Sequence, residues 1–188
     1  MSFLDAIGSG FKNYFNFKGK ASRSEFWYWV LFTVLLGIVL GTIESVIWPT
    51  PPMAADWMQE IDVTLSQPTP LTNLSSFLLL IPNLSMLARR FHDAGFSAKW
   101  LFLQLGPLAY GLFALVGAGV VVLNAQGRDF TAEDLMAIIF LSIPILAMFM
   151  AIFVIYLIFA LKPSRSFYDG NKYVEPTPLS SGDEGTTA

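Results

Sequence analysis

The run Arg89-Arg-Phe-His-Asp93 places two guanidiniums, an imidazole and a carboxylate within five residues, the densest concentration of chemistry-bearing side chains in the chain. On a helix, Arg89 and Asp93 are four apart and share a face, with His92 beside them. A His and Asp pair suits general acid and base work, while Arg forks suit phosphate and carboxylate. Upstream, Arg23 and Glu25 immediately precede an apolar run. If both segments end at the same membrane surface, Arg23, Glu25, Arg89, Arg90, His92 and Asp93 form one candidate cluster. Glu44 stands apart as the sole acid within an apolar stretch, a placement that is costly in hydrocarbon and therefore suspect. It lies four residues from Trp48, roughly 6 Å along a helix. Snorkelling to the outer interface is thus its preferred reading, with a place on a transport pathway as the alternative.

Three readings of the cluster compete. The first is a lock on the cytoplasmic ends of two helices, with Arg90 snorkelling to phosphates and Glu25 capping a helix. The second is binding of an anionic lipid headgroup or a partner protein. The third is catalysis by His92 and Asp93, although no Ser, Thr or acid nucleophile stands beside them. Asp93 is the residue that local rules explain least, because an acid in the last turn of a helix opposes the dipole. It is therefore expected to be held by Arg89, Arg90 or Arg23, or by a tertiary contact such as the cap of another segment. With no cysteine and one histidine in 188 residues, disulfides, thiolate chemistry and a multi-His metal centre within one chain are excluded. No cofactor is implied.

The elements that position these residues follow from charge and hydropathy. Hydrophobic residues make up 54% of the chain and charged ones 13%, too apolar for a soluble domain of this size. Ten of the eleven Lys and Arg residues fall in three short segments, around Lys12 to Arg23, Arg89 to Lys99 and Lys162 to Lys172, and only Arg128 lies elsewhere. Because cytoplasmic loops retain basic residues, this reads as a four-helix membrane protein with both termini in the cytoplasm. Six acids (Asp56, Glu60, Asp62, Asp129, Glu133 and Asp134) then fall in the two outer loops. No basic groove remains for nucleic acid. No secretory signal or lipidation motif is visible, and the first span would serve as an uncleaved signal-anchor.

Residues 1–25 read as a cytoplasmic amphipathic segment, with Phe3, Leu4, Ile7, Phe11, Tyr14 and Phe15 at helical spacing on an interfacial face and Gly8 and Gly10 interrupting it. Ser22-Arg-Ser-Glu25 has the form of a capping box. Residues 26–161 form the transmembrane domain, with spans at about 26–48, 71–94, 100–123 and 135–161. The Pro-rich loop between the first two spans carries Trp57, Ile61 and Leu65 on one face of a short surface helix. Apolar residues 71–88 cover roughly 27 Å, barely the hydrocarbon thickness, so the helix is expected to protrude as far as a stop at Gly95. Pro82 and Asn83 predict a kink. Gly106, Gly111, Gly117 and Gly119 permit close helix approach, as does Gly37-x-x-x-Gly41, within the chain or between copies. Asn73, Asn83, Gln104 and Tyr110 suit interhelical hydrogen bonds or, alternatively, a polar path. Thr131 with Asp134 opens the fourth span, Lys162-Pro163 closes it, and residues 162–188 form a cytoplasmic tail, disordered from about 174.

Phe15-Asn-Phe-Lys-Gly-Lys-Ala-Ser-Arg-Ser-Glu-Phe-Trp-Tyr-Trp29, together with Arg89-Arg-Phe-His-Asp-Ala-Gly-Phe-Ser97, closely resembles the small bacterial inner-membrane proteins of unknown function typified by YhaH and YhaI. Asp169-Gly-Asn-Lys-Tyr173 is similar to that family's Gly-x-Asn-x-Tyr segment. The resemblance spans most of residues 11 to 173, with departures at Lys20, Ala98-Lys99 and Val174. It implies an inner-membrane location and brings no activity, cofactor or substrate. The reading is an all-α, four-span bundle with a non-enzymatic interaction or structural role at its cytoplasmic charged cluster. Membrane lipids, including anionic headgroups, and a membrane-protein partner or second copy are the expected contacts. The alternatives are a small transporter or channel component, and a lipid-modifying enzyme.

The basic asymmetry generates a direct test. Single cysteines introduced into this cysteine-free chain near Met1, Phe96 and Ala188 should resist an impermeant thiol reagent in intact cells, and those near Asp56 and Arg128 should react. Protection of the loop around Asp56 would overturn the topology.

Overall fold

A computed structural model describes residues 1–49, 67–128, 131–174 and 176. The surface helix expected around Trp57 and the disorder expected in the tail beyond residue 176 lie outside the described residues. Five α-helices occur among those described: α1 (Phe3–Lys12), α2 (Arg23–Ile47), α3 (Pro70–Asp93), α4 (Leu105–Ala125) and α5 (Ala132–Leu161). A 3₁₀ segment, Ala98–Gln104, leads into α4, and a short 3₁₀ turn, Phe167–Asp169, follows α5. Four of these stretches are long and apolar enough to cross a membrane, the third being Ala98–Ala125 taken as a whole. The protein is an all-α membrane protein with four spans and a preceding amphipathic helix. Ile38, Leu112, Phe140 and Leu146 are among many large side chains left exposed, as expected where hydrocarbon is the solvent.

Helix ends follow their local chemistry. Ser2 caps α1 in a reciprocal box with Asp5, and Thr131 does the same for α5 with Asp134. Ser22 caps α2 by accepting from the Glu25 amide at 3.2 Å. The other half of the expected box does not form, because the Glu25 carboxylate turns into the bundle. Helix α3 ends where Gly95 adopts φ +86°, with Phe96 N–H donating to the Phe91 carbonyl and Gly95 N–H to that of His92, the Schellman arrangement. The third span begins as a 3₁₀ segment. Pro107 lacks an N–H and its ring crowds the carbonyl four residues earlier, at Leu103, so the α-ladder starts only after that point.

The helices assemble as two hairpins. Trp29, Leu79 and Met86 form the core between α2 and α3, with Phe26, Phe32 and Leu36 packed on it. The Trp29 indole donates to Asn83 at 2.7 Å. In the second hairpin α4 lies close on α5, where a Cβ on Gly117 would come within 3.0 Å of Leu141. By contrast, Gly37, Gly41, Gly111 and Gly119 face open space. Helix α4 packs on α5 and on its own 3₁₀ lead-in, not on α2 or α3. The first hairpin meets the second through the packing of α3 on the 3₁₀ lead-in and on α5, and at α5 Phe159 takes Phe91 edge-on and stacks on Phe96.

Helix α1 packs into the bundle. Its small face, Ala6 and Gly10, is buried against α2, while Leu4 stays largely exposed. A Cβ on Gly10 would fall 2.1 Å from the Trp29 ring, so the glycine that interrupts the amphipathic pattern is what admits the indole. Phe11 packs edge-on against both Trp29 and Phe32. The segment just after α1 also repairs the break at Pro82, which leaves the Leu78 carbonyl without its helical donor. The Tyr14 hydroxyl donates to that carbonyl, and Ser85 donates to Asn13 O at 3.0 Å.

Gly10→Ala should displace the indole and lower detergent-solubilised stability by about 1 to 3 kcal/mol, the usual cost of overpacking. Gly8→Ala, which meets nothing within 4 Å, should be neutral or slightly stabilising. Chemical unfolding followed by tryptophan fluorescence distinguishes the two.

Candidate functional site

Adjacent residues on a helix point roughly 100° apart, and this decides how the two arginines divide their work. Arg89 turns towards α1 and α2, where its Nη1 lies 3.0 Å from Glu25 Oε1. The same carboxylate oxygen accepts from the Ser9 hydroxyl at 2.7 Å, so one buried ion pair ties three helices together. The Ala21 amide donates to the Arg89 carbonyl at 3.2 Å, fixing the chain just before α2. Arg90 turns the other way and is wholly buried. Its Nε donates to Ala160 O at 3.1 Å, its Nη2 to Lys162 O and its Nη1 to Asp93. The carbonyls of residues 160 and 162 belong to the last turn and cap of α5, which lack intrahelical donors. Arg90 of α3 thus caps α5 across the hairpin boundary.

Asp93 pairs with Arg90, three residues before it, and not with Arg89 or Arg23. Its Oδ2 also accepts from the Ser164 hydroxyl, and its backbone carbonyl accepts from the Arg165 amide at 2.8 Å. An acid at the negative end of a helix is tolerated here because a buried guanidinium and a hydroxyl face it. Arg23 is exposed and has no hydrogen bond or ion pair among the described residues. The structure therefore brings together Glu25, Arg89, Arg90 and Asp93 and leaves Arg23 outside them. His92 points away from Asp93, and its ring stacks on Tyr173 with centroids 4.7 Å apart. The two side chains of the candidate acid–base pair do not meet.

Ser9, Ser164 and Asn171 complete the cluster and were not singled out from sequence. Asn171 is buried, and its amide donates to His92 O at 2.8 Å and Arg165 O at 3.1 Å. It supplies a donor to the C-terminal carbonyls of α3. Gly170, at φ +81°, makes the turn that presents it. The signal was the Asp169-Gly-Asn-Lys-Tyr173 segment, whose pattern was visible while its target was not.

At the opposite end of α3, Glu44 is buried, not snorkelling. Its carboxylate accepts from the amides of Leu71 and Thr72 and from the Thr72 hydroxyl. Thr69, at the N-cap of α3, makes no side-chain capping bond. Glu44 of α2 therefore does that work from outside, where the positive end of the helix dipole favours an anion. Arg128 grips Asp134 with two bonds of 2.7 and 2.6 Å. Among the described residues, no three His, Asp or Glu side chains are grouped to hold a metal.

Residues 14–173 match a family described as protein of unknown function, DUF805. Inner membrane protein YhaH of Escherichia coli strain K12 is 29% identical over 121 residues, covering 63% of this chain and 89% of that protein. Inner membrane protein YhaI of the same strain shows the same identity over 121 residues, covering 88% of its length. No solved structure matches.

Because Arg90 is wholly enclosed, Asp93→Asn should cost about 3 kcal/mol, the low end for breaking a buried pair, since two carbonyls still face the guanidinium. His92→Gln should cost about 1 kcal/mol through lost stacking. Detergent unfolding of both variants checks this order. Glu44→Gln should retain part of the cap and Glu44→Ala lose it, so faster amide hydrogen exchange at Leu71 and Thr72 in the alanine variant alone is the expected result.

Proposed function

Because the chain belongs to the DUF805 family of proteins of unknown function, we propose that it is a bacterial inner-membrane interaction protein without enzymatic activity. Its termini and charged cluster lie at the cytoplasmic face. One observation carries this reading: the charged motif is consumed by the fold. Glu25, Arg89, Arg90 and Asp93 are buried and bonded to one another or to helix ends, an arrangement suited to holding a rigid cytoplasmic platform. Rigid platforms present surfaces for recognition, and buried guanidiniums do not exchange ligands readily.

The orientation rests on the basic asymmetry. Arg128, the single basic residue assigned outside, is neutralised by Asp134, which is consistent with it. Of the residues the transport alternative invokes, Glu44 caps α3 and Asn83 accepts from Trp29, which favours the interaction reading. The enzyme alternative needs His92 and Asp93 to cooperate, and they face different partners.

The test separates binding from turnover. Purified protein incubated with total polar lipid extract should leave every lipid mass unchanged. Photoreactive residues at Lys12 and Lys172 in native membranes should yield discrete adducts that the same label at Val46 or Val122 does not. Conversion of any lipid that disappears in His92→Gln would contradict the reading and favour an enzyme.

A further inference from the structure

Two cavities meet at His92, and their linings differ in kind. One, of about 680 Å³, is walled by Lys18, Lys20 and His92 together with Tyr173, Val174 and Pro176. The other, of about 580 Å³, runs between α3 and the start of α4, lined by Leu80, Leu84, Phe102, Leu105 and Leu108, with Phe17 and Lys99 also on its wall. Each is within the size range of small-molecule sites. The strand of chain from Phe17 to Lys20 divides them, turning Phe17 to the apolar side and both lysines to the polar side. Among the described residues that line either cavity there is no carboxylate. The apolar cavity exists because α4 does not pack on α3. It is bounded below by the 3₁₀ lead-in and continues into the depth of the spans at Leu80 and Leu108.

We infer that the two cavities form one site for an anionic membrane lipid of the cytoplasmic leaflet, its phosphate between Lys18, Lys20 and His92 and an acyl chain in the cleft between α3 and α4. Charge complementarity selects the head: Lys18 and Lys20 supply the positive charge, with the His92 imidazole as a polar neighbour on the same wall, beside arginines that are already engaged. Depth selects the tail, because a lipid is the ligand whose polar group sits at the interface while its chain lies in hydrocarbon. Tyr173, stacked on His92, forms the wall of the head site, which links the segment after α5 to lipid occupancy.

The inference rests on the cytoplasmic placement proposed above, but its test does not share that proposal's readout. The purified full chain is examined by native mass spectrometry with phosphatidylglycerol and with phosphatidylcholine of the same chains. One phosphatidylglycerol should be retained in preference to phosphatidylcholine. Lys18→Gln with Lys20→Gln should weaken phosphatidylglycerol retention by more than tenfold, at about fivefold per lysine, while Lys12→Gln with Lys162→Gln should change it little. Leu84→Trp, which fills the cleft, should weaken both lipids at unchanged thermal stability. Glycerol phosphate added in excess should not displace the lipid. Equal retention of the two lipids, equal loss from both lysine pairs, unaltered binding by a stably folded Leu84→Trp protein, or displacement by glycerol phosphate would each overturn the site. Cysteine labelling in cells reads the orientation independently, so failure of the site and failure of the cytoplasmic placement give different results.

Discussion

The enclosed guanidinium of Arg90 is the constraint on which the remainder of the bundle depends. A cation with no water around it must find acceptors for its donors, and three are supplied by Ala160 O, Lys162 O and Asp93. Two of these are main-chain carbonyls at the end of α5, so satisfying the charge fixes where that helix stops relative to α3. Lysine would not replace it, because a single ammonium lacks the planar fork that reaches all three. Since α4 touches the first hairpin only through its 3₁₀ lead-in, the register between the hairpins is set largely here and by the aromatic contacts of Phe159.

The same device recurs at both ends of α3. Glu44 from α2 holds its first amides, and Asn171 from beyond α5 holds its last carbonyls. In water, an uncapped helix end is hydrated at modest cost. At a membrane boundary, where helices meet lipid, a neighbour's side chain is the better partner, and each such cap also specifies which helix lies beside which. Tyr14 extends the principle to a helix interior by donating to the carbonyl that Pro82 leaves free. Capping across elements thus supplies the specificity that lipid-facing apolar surfaces cannot.

The spans, the Gly95 stop and the Thr131 cap were legible in the sequence because each follows from local chemistry: hydropathy over about twenty residues, a glycine just past a helix end, a hydroxyl before an acid. The membership of the charged cluster was largely legible too. Its pairing was not. Whether Asp93 meets Arg89, Arg90 or Arg23 depends on which carbonyls and hydroxyls the post-span segment brings, and no spacing rule reports that. The role of Glu44 is hidden in the sequence for a related reason. Its distance from Trp48 permits snorkelling, but the uncapped start of α3 is a stronger attractor visible only in three dimensions. Gly10 interrupts the amphipathic pattern with no local reason, because the indole that fills its place comes from Trp29, nineteen residues on.

The central claim is that the Arg90 contact sets the arrangement of the two hairpins. Spin labels at Val39 on α2 and Val120 on α4, both exposed, report the distance between hairpins by pulsed electron resonance in nanodiscs, and the absence of native cysteine makes the labelling specific. The account predicts one narrow distance distribution in the otherwise native protein and a broad or shifted one in Arg90→Gln, with helicity preserved in both. An Arg90→Gln protein whose distribution is indistinguishable from the parent's would contradict it.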